Sequence, residues 1–312
     1  MIVDVHYHLM PLVTEQVVDR LSRDIFWSAQ MMGKAIDRDA FRKKALESYQ
    51  DPTGERLIRS MDEAGVDFTC ICAVDNVENQ SLTEEAIRSY NKLLGEIARR
   101  YPRRVMAFAG VDPRRPGAPE LMEQCFDEFG VRGLKYHPDY GYDPACRESY
   151  RLLEIVQKNG GVLLTHTGPL GPPSRCKYSD PMLLADLAVD FPELKVIAAH
   201  MGQMNWRPWA ALASHQPTLY GDLAMWDAFA FGRYELFCRE LRDLIDCAGV
   251  SKVLFGTDNP VFSILEPTSK WIRLIKDLPT RAPAGIRFTE EEVSAILGGN
   301  AAEVLGLDMR QP

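Results

Sequence analysis

Four short apolar runs in this chain end on side chains able to bind a metal ion. MIVDVHYH ends on His6 and His8, GVLLTHTG on His166, LKVIAAHMG on His200, and SKVLFGTDNP on Asp258. The sequence has only six histidines, and four of them sit in such positions. A short, nearly continuous apolar run reads as a strand buried on both faces, the pattern of a parallel sheet. In a closed parallel barrel, strand ends of one polarity converge on a single rim, and that rim carries the active site. Four unrelated structural histidines would have no reason to share this placement.

The rest of the chain fits the same plan. Eight strand candidates follow one another: Ile2–His8, Phe68–Val74, Val105–Val111, Val131–His137, Val162–Thr167, Lys195–His200, Leu219–Leu223 and Val253–Asp258. Between them, apolar residues recur at three- and four-residue spacing over Gly54–Ala64, Thr83–Arg100, Pro119–Phe129, Cys146–Asn159, Pro181–Phe191 and Tyr234–Cys247, which predicts helices. Strand–helix alternation repeated eight times predicts an α/β fold, a distorted (β/α)8 TIM barrel spanning residues 1–312 as one domain. A doubly wound open sheet is the alternative, but it would keep His6 and Asp258 apart. Two insertions interrupt the minimal pattern, Leu9–Gln50 after the first strand and Pro260–Arg287 after the eighth. The first has its own helical period and reads equally as a lid or as decoration. A closing helix is expected over Thr289–Leu297.

Charge and cysteine content narrow the function. A net charge of −8 argues against a nucleic-acid partner. No apolar run approaches the roughly 20 residues that span a bilayer, and a strand beginning at Ile2 leaves no space for a signal peptide, so a cytoplasmic location is expected. The seven cysteines include no CxxC pair, and none has a histidine close in sequence. Free thiols in a reducing compartment account for them, and a catalytic thiol is not expected. The expected partner is a small-molecule substrate, with homo-oligomerisation left open.

Residues alternate across a strand, so His6 and His8 face one side with Cβ atoms roughly 6–7 Å apart. Two such imidazoles can reach one ion at about 2.0–2.1 Å. The donor set suits zinc, and also manganese, iron or cobalt. The motifs DVHYH, THTG, AAHMG and FGTDNP, in this order, resemble the amidohydrolase superfamily. The final GGNAAEVLGL resembles the last helix of its amidohydrolase-related branch, which also holds aminocarboxymuconate-semialdehyde decarboxylase and the resorcylate decarboxylases. The resemblance covers essentially the whole chain. It implies a divalent cofactor, zinc first and manganese second, held by His6, His8, His166 and Asp258. It further implies that Asp258 manages the proton of a metal-activated water. His200 would be catalytic in a one-metal site or a ligand in a two-metal site.

Lys135, in VRGLKYHP at the end of the fourth strand, separates two versions of this chemistry. In two-metal members of the superfamily a fourth-strand lysine is carboxylated and bridges both ions, so the expected complement is one ion, or two with Lys135 as a metal ligand. The rival reading leaves Lys135 an amine that binds an anionic substrate group. Further substrate contacts are expected from His137, from Arg175 with Lys177 in the loop after His166, and from Asn205 and Trp206 after His200. Asp4 is a candidate to orient a ligand from behind, and His215 reads as a surface residue. Lys135 tilts the expected reaction towards metal-dependent hydrolysis of an amide, lactone or ester-like bond. The alternative is metal-dependent non-oxidative decarboxylation of a small unsaturated or aromatic acid. A barrel with a decayed site, serving only to bind, is disfavoured by the complete ligand set.

Overall fold

The computed structural model describes residues 1–308, and all eight apolar runs form strands there. They are β1 (Val3–His8), β2 (Phe68–Cys72), β3 (Val105–Gly110), β4 (Gly133–Tyr136), β5 (Val162–His166), β6 (Lys195–Ala199), β7 (Leu219–Asp222) and β8 (Val253–Leu254). Neighbours pair in parallel, and spatial order follows sequence order. The ring closes through backbone bonds between β1 and the chain after β8. Val5 N donates to Phe255 O at 3.1 Å, Asp258 N to His6 O at 2.8 Å, and His8 N to Asn259 O at 2.7 Å. The expected (β/α)8 barrel is therefore the fold, and the open sheet is excluded.

Inside the barrel, Val5, Phe68, Cys70, Phe108, Leu164 and Ile197 pack together, and Ala301 and Val304 of the last helix close the floor. Packed side chains fill the lower barrel, so chemistry is confined to the rim at the strand C-termini. Between Asp4 and Tyr7 the pairing of β1 with β2 slips by a bulge. A bulge inserts one residue and reverses the inside–outside phase. Val3 and Val5 thus join the interior cluster, while His6 and His8 further along also point inward. Asp4, expected to orient a ligand from behind, lies with Tyr7 next to Leu57 and Met61 of the neighbouring helix.

The helical stretches form as expected, with local adjustments at their ends. Glu84–Arg100 begins at Thr83, whose hydroxyl accepts from Ala86 N at 3.1 Å. Its acidic first turn and basic last turn (Arg99, Arg100) complement the helix dipole. The Pro119–Phe129 stretch divides into an α-helix, Ala118–Gln124, and a π-helical turn, Cys125–Phe129. The closing helix starts on a Thr289–Glu292 capping box and continues past Leu297 through a π-helical turn to Leu305.

The first insertion contains two helices, Glu15–Met31 and Arg38–Ser48. Their apolar faces (Val18, Ile25, Phe41, Ala45) form a cluster with Leu170, Met225, Val261 and Phe262, from the loops after β5, β7 and β8. Those loops rise from the rim, so the insertion covers the mouth of the barrel. The second insertion carries Thr268–Lys276 and Leu278–Arg281. No helix among the described residues is long and apolar enough to cross a membrane.

Candidate metal centre

The ends of β1 and β8 bring three donor atoms together. His6 Nε2 and His8 Nε2 are 3.1 Å apart, and Asp258 Oδ1 is 3.3 Å from the first and 2.9 Å from the second. Donors held at about 2.1 Å from a shared ion are separated by roughly 3.0 Å in octahedral and 3.4 Å in tetrahedral geometry. The three side chains thus fit one divalent cation. The Lys135 amine from β4 donates to the same His6 Nε2 at 2.9 Å. His166, His200 and His137 complete a ring of imidazoles, with centroids of His6 and His200 at 5.2 Å, His166 and His200 at 5.0 Å, and His8 and His137 at 5.8 Å. His6, His8, Lys135, His166, His200 and Asp258 are all buried.

The backbone works to hold these groups. Asp258 sits at φ 57° and His200 at φ 65°, left-handed conformations that cost energy in a non-glycine residue and recur at functional sites. Asp4 accepts from the backbone N–H groups of His6 and Thr257 and from the Thr257 hydroxyl at 2.6 Å. It therefore clasps the two strand ends that carry the ligands, rather than orienting an imidazole.

The ring nitrogens turned away from the centre have fixed partners. Asp222, at the end of β7, accepts from His6 Nδ1 at 3.1 Å and from the backbone N–H of His200 at 2.9 Å. His6, His200 and Asp222 form a second close group of donors, but Asp222 meets the outer nitrogen of His6, the arrangement that orients a ligand from behind. His200 Nδ1 donates to Ala224 O at 3.0 Å, leaving Nε2 as the free nitrogen. His166 Nε2 donates to Gly168 O at 3.2 Å, which leaves Nδ1. His137 Nδ1 pairs with Asp139 Oδ1 at 3.1 Å, and its buried Nε2 has no hydrogen-bond partner among the described residues.

Electrostatics divides the histidines. Burial pushes His200, His166 and His137 down to about 4, so their rings favour the neutral form that binds metals or accepts protons. Burial and the Lys135 charge hold His6 well below its ordinary value. His8 differs: burial lowers it, but Cys72 and the bond to Asp258 outweigh that and raise it to about 9. Burial raises the Asp258 carboxyl, yet the His8 bond and the charges of His8, His200 and Lys135 bring it below the usual carboxylate range.

The outer residues expected from sequence lie in different settings. Arg175, Lys177 and Asn205 are exposed, and so is His215. Arg175 packs on Gly141, which sits in the loop after β4. Trp206 is buried, its indole donating to Glu240 at 2.7 Å, and with Trp27, Met204 and Trp226 it lines a shallow cleft at the lid's edge. Three contributors escaped the sequence reading. Asp222 and Asp139 were not singled out, and Cys72 was set aside for lack of a nearby histidine. Cys72 Sγ is 3.4 Å from His8 Nδ1, because the parallel register puts His8 beside Cys72 at the ends of β1 and β2. The rule that picked out the histidines, a polar residue closing an apolar strand, also applies to Cys72 and Asp222.

A family model described as amidohydrolase matches residues 3–307. The chain belongs to the amidohydrolase family. No curated protein matches it by sequence. Among solved structures it is similar to a dihydroxybenzoic acid decarboxylase from Polaromonas sp. JS666, with bound manganese and the inhibitor 2-nitroresorcinol. That match has a TM-score of 0.68 and 18% identity over 98% of this chain and 97% of the other. It is also similar to 5-carboxyvanillate decarboxylase from Sphingomonas paucimobilis (TM-score 0.64, 17% identity, 98% and 99% covered). A third is 2,6-dihydroxybenzoate decarboxylase from Rhizobium (TM-score 0.64, 18% identity, 98% and 99% covered). At these identities the likeness establishes the shared barrel.

Proposed function

We propose that this amidohydrolase-family protein is a metal-dependent, non-oxidative decarboxylase of a small aromatic acid, rather than the hydrolase that Lys135 first suggested. The observation that carries this reading is the 2.9 Å contact between the Lys135 amine and His6 Nε2. It holds the amine itself in hydrogen-bond contact with a candidate ligand, at the spacing of neighbouring donors. An amine there is placed to pair with a substrate carboxylate. The decarboxylase names of the similar structures support the same choice.

His6, His8, His166 and Asp258 would hold one divalent ion, manganese or zinc, which when bound supplies positive charge to fix and polarise the acid. Lys135 grips a carboxylate oxygen. His200, with Nδ1 committed to Ala224 O, has Nε2 free to take up a proton from solvent and pass it to the ring carbon as the carbon–carbon bond breaks and carbon dioxide leaves. His137 offers its unpartnered Nε2 to the substrate, while Arg175, Asn205 and Trp206 are assigned to the outer loops. The lid keeps bulk water from the reacting carbon.

The reaction class is tested with hydroxylated benzoates, lactones and amides in heavy water and in oxygen-18 water. Carbon dioxide release with deuterium on the ring carbon is expected. Oxygen-18 in an organic product, with no carbon dioxide from any acid, would restore the hydrolase.

A further inference from the structure

The His137 ring is held from several sides. Its Nδ1 pairs with Asp139 Oδ1 at 3.1 Å, and the backbone N–H of His137 donates to the Tyr142 hydroxyl at 2.7 Å. The ring stacks on Tyr140 at 4.9 Å and on His166 at 5.3 Å, with interplanar angles of 12° and 7°. Asp139 is fully buried and is held in turn from the loop after β5. Ser174 Oγ donates to its Oδ2 at 2.6 Å, and the backbone N–H of Arg175 donates to its carbonyl at 2.6 Å. A carboxylate with both oxygens taken by donors keeps the imidazole proton of His137 on Nδ1. Nε2 is left as a bare lone pair, the nitrogen that has no partner among the described residues.

Both supports of this ring lead to one turn of the lid helix Glu15–Met31. The Arg20 guanidinium lies over the Tyr140 ring at 4.3 Å. The acids around it on the same helix have other partners: Glu15 and Asp19 pair with Arg42, and Asp24 accepts from the Gly171 N–H. Arg23 donates to Pro172 O. Arg20, Arg23 and Asp24 are three and four residues apart, so they share one side of the helix. Gly171 and Pro172 lie just before Ser174 and Arg175, the two residues that hold Asp139. The same helical turn therefore reaches the face of His137 through Tyr140 and its edge through the loop and Asp139.

We propose that Arg20 is a positioning residue for His137: docking of the lid turn Arg20–Asp24 sets the His137 ring, so the lid completes the site as well as covering it. That His137 meets the substrate rests on the reading given above. Arginine suits the position, because a planar guanidinium lies flat on an aromatic ring and a compact ammonium does not. The contact can pass on to substrate affinity no more than its own worth, and the coupling is reciprocal, so bound substrate holds the lid down by the same factor.

The test reads the ring itself, by nitrogen-15 magnetic resonance of zinc-loaded protein labelled in its histidines. With six histidines in the chain, His137→Gln identifies the signals of His137. The wild type should show His137 in the single form protonated on Nδ1. Arg20→Ala and Tyr140→Leu should move those signals towards a ring exchanging between its two tautomers. Both should also weaken calorimetric binding of 2-hydroxybenzoate by about tenfold, the scale of a partly desolvated cation–π contact. Tyr140→Phe, which keeps the stack, and Arg42→Ala, which cuts exposed lid pairs outside it, should leave signals and binding as in the wild type. Unchanged His137 signals in Arg20→Ala would overturn the proposal, and so would an equal shift in Arg42→Ala, which would make the effect one of lid packing. Shifted signals with unchanged binding would uphold the positioning and overturn the substrate role of His137. If 2-hydroxybenzoate does not bind the wild type, that counts against the decarboxylase reading, and the nitrogen signals still decide the positioning.

Discussion

Cys72 Sγ lies 3.4 Å from Nδ1 of His8, while Nε2 of the same ring faces Asp258 Oδ1 at 2.9 Å. The thiol thus sits close to both His6 and His8 and contacts the ring nitrogen of His8 remote from Asp258. Groups in this position typically change metal affinity by about 10–100-fold when removed. Cys72→Ala should therefore weaken binding of manganese or zinc by about that factor while the barrel still folds. Competition against a chelator of known affinity measures it, and an unchanged dissociation constant would show that Cys72 is only packing.

The His8–Asp258 pair gives the metal-free protein a defined pH dependence. His8 is raised to about 9, so its contribution to stability is complete below the unfolded imidazole value of about 6.5 and is lost as pH rises towards 9. Asp258 is depressed, so its contribution is present above the unfolded carboxylate value of about 3.9 and is lost as pH falls. Urea unfolding of chelated protein should show this stabilisation best between about pH 4 and 6.5, with a decline towards 9 that is blunted in Asp258→Asn. Metal uptake at pH 7 should also release close to one proton, because a ligating imidazole must be neutral. Calorimetry in buffers of different ionisation enthalpy reads that proton directly. No proton release would contradict the pairing.

Ligand and proton carrier are separable by substitution. His200 uses Nδ1 on Ala224 O, whereas His6 meets both Asp258 and His8 through Nε2. His6→Ala should strip the metal. His200→Gln should leave one ion in place and lower turnover by about 10²–10⁴-fold, the usual worth of a positioned acid or base. Elemental analysis beside steady-state rates distinguishes them. Loss of metal from His200→Gln would make it a ligand and bring back the two-metal reading.

Much of this architecture was legible because burial on both faces leaves a strong mark on a parallel strand. Periodicity placed all eight strands, and His6, His8, His166, His200 and Asp258 were found from their position at strand ends. Residues that depend on neighbouring strands were harder. Cys72 has no histidine near it in sequence, yet the β1–β2 register sets it beside His8. Asp4 was expected to orient a ligand from behind, but it bonds the backbone of His6 and Thr257 instead, and no residue in VDVHYH announces the bulge in β1.

Gly256 offers a test of how closely the centre is fitted. A Cβ at this position would stand 3.1 Å from Cβ and Cγ of Asp222 and 3.3 Å from Cβ of His6. Both neighbours would have to yield by a few tenths of an ångström. Each is anchored, since His6 Nδ1 bonds Asp222 and Asp222 also accepts from the backbone of His200 and Ala224. Gly256→Ala should therefore cost about 1–3 kcal/mol of stability, the usual penalty of overpacking. It should also weaken metal binding, because the strain falls on the carboxylate that orients His6. Denaturant unfolding of the metal-free protein gives the first quantity, and metal titration gives the second. A variant that loses stability but binds metal as tightly as the wild type would mean that Asp222 does not transmit position to His6.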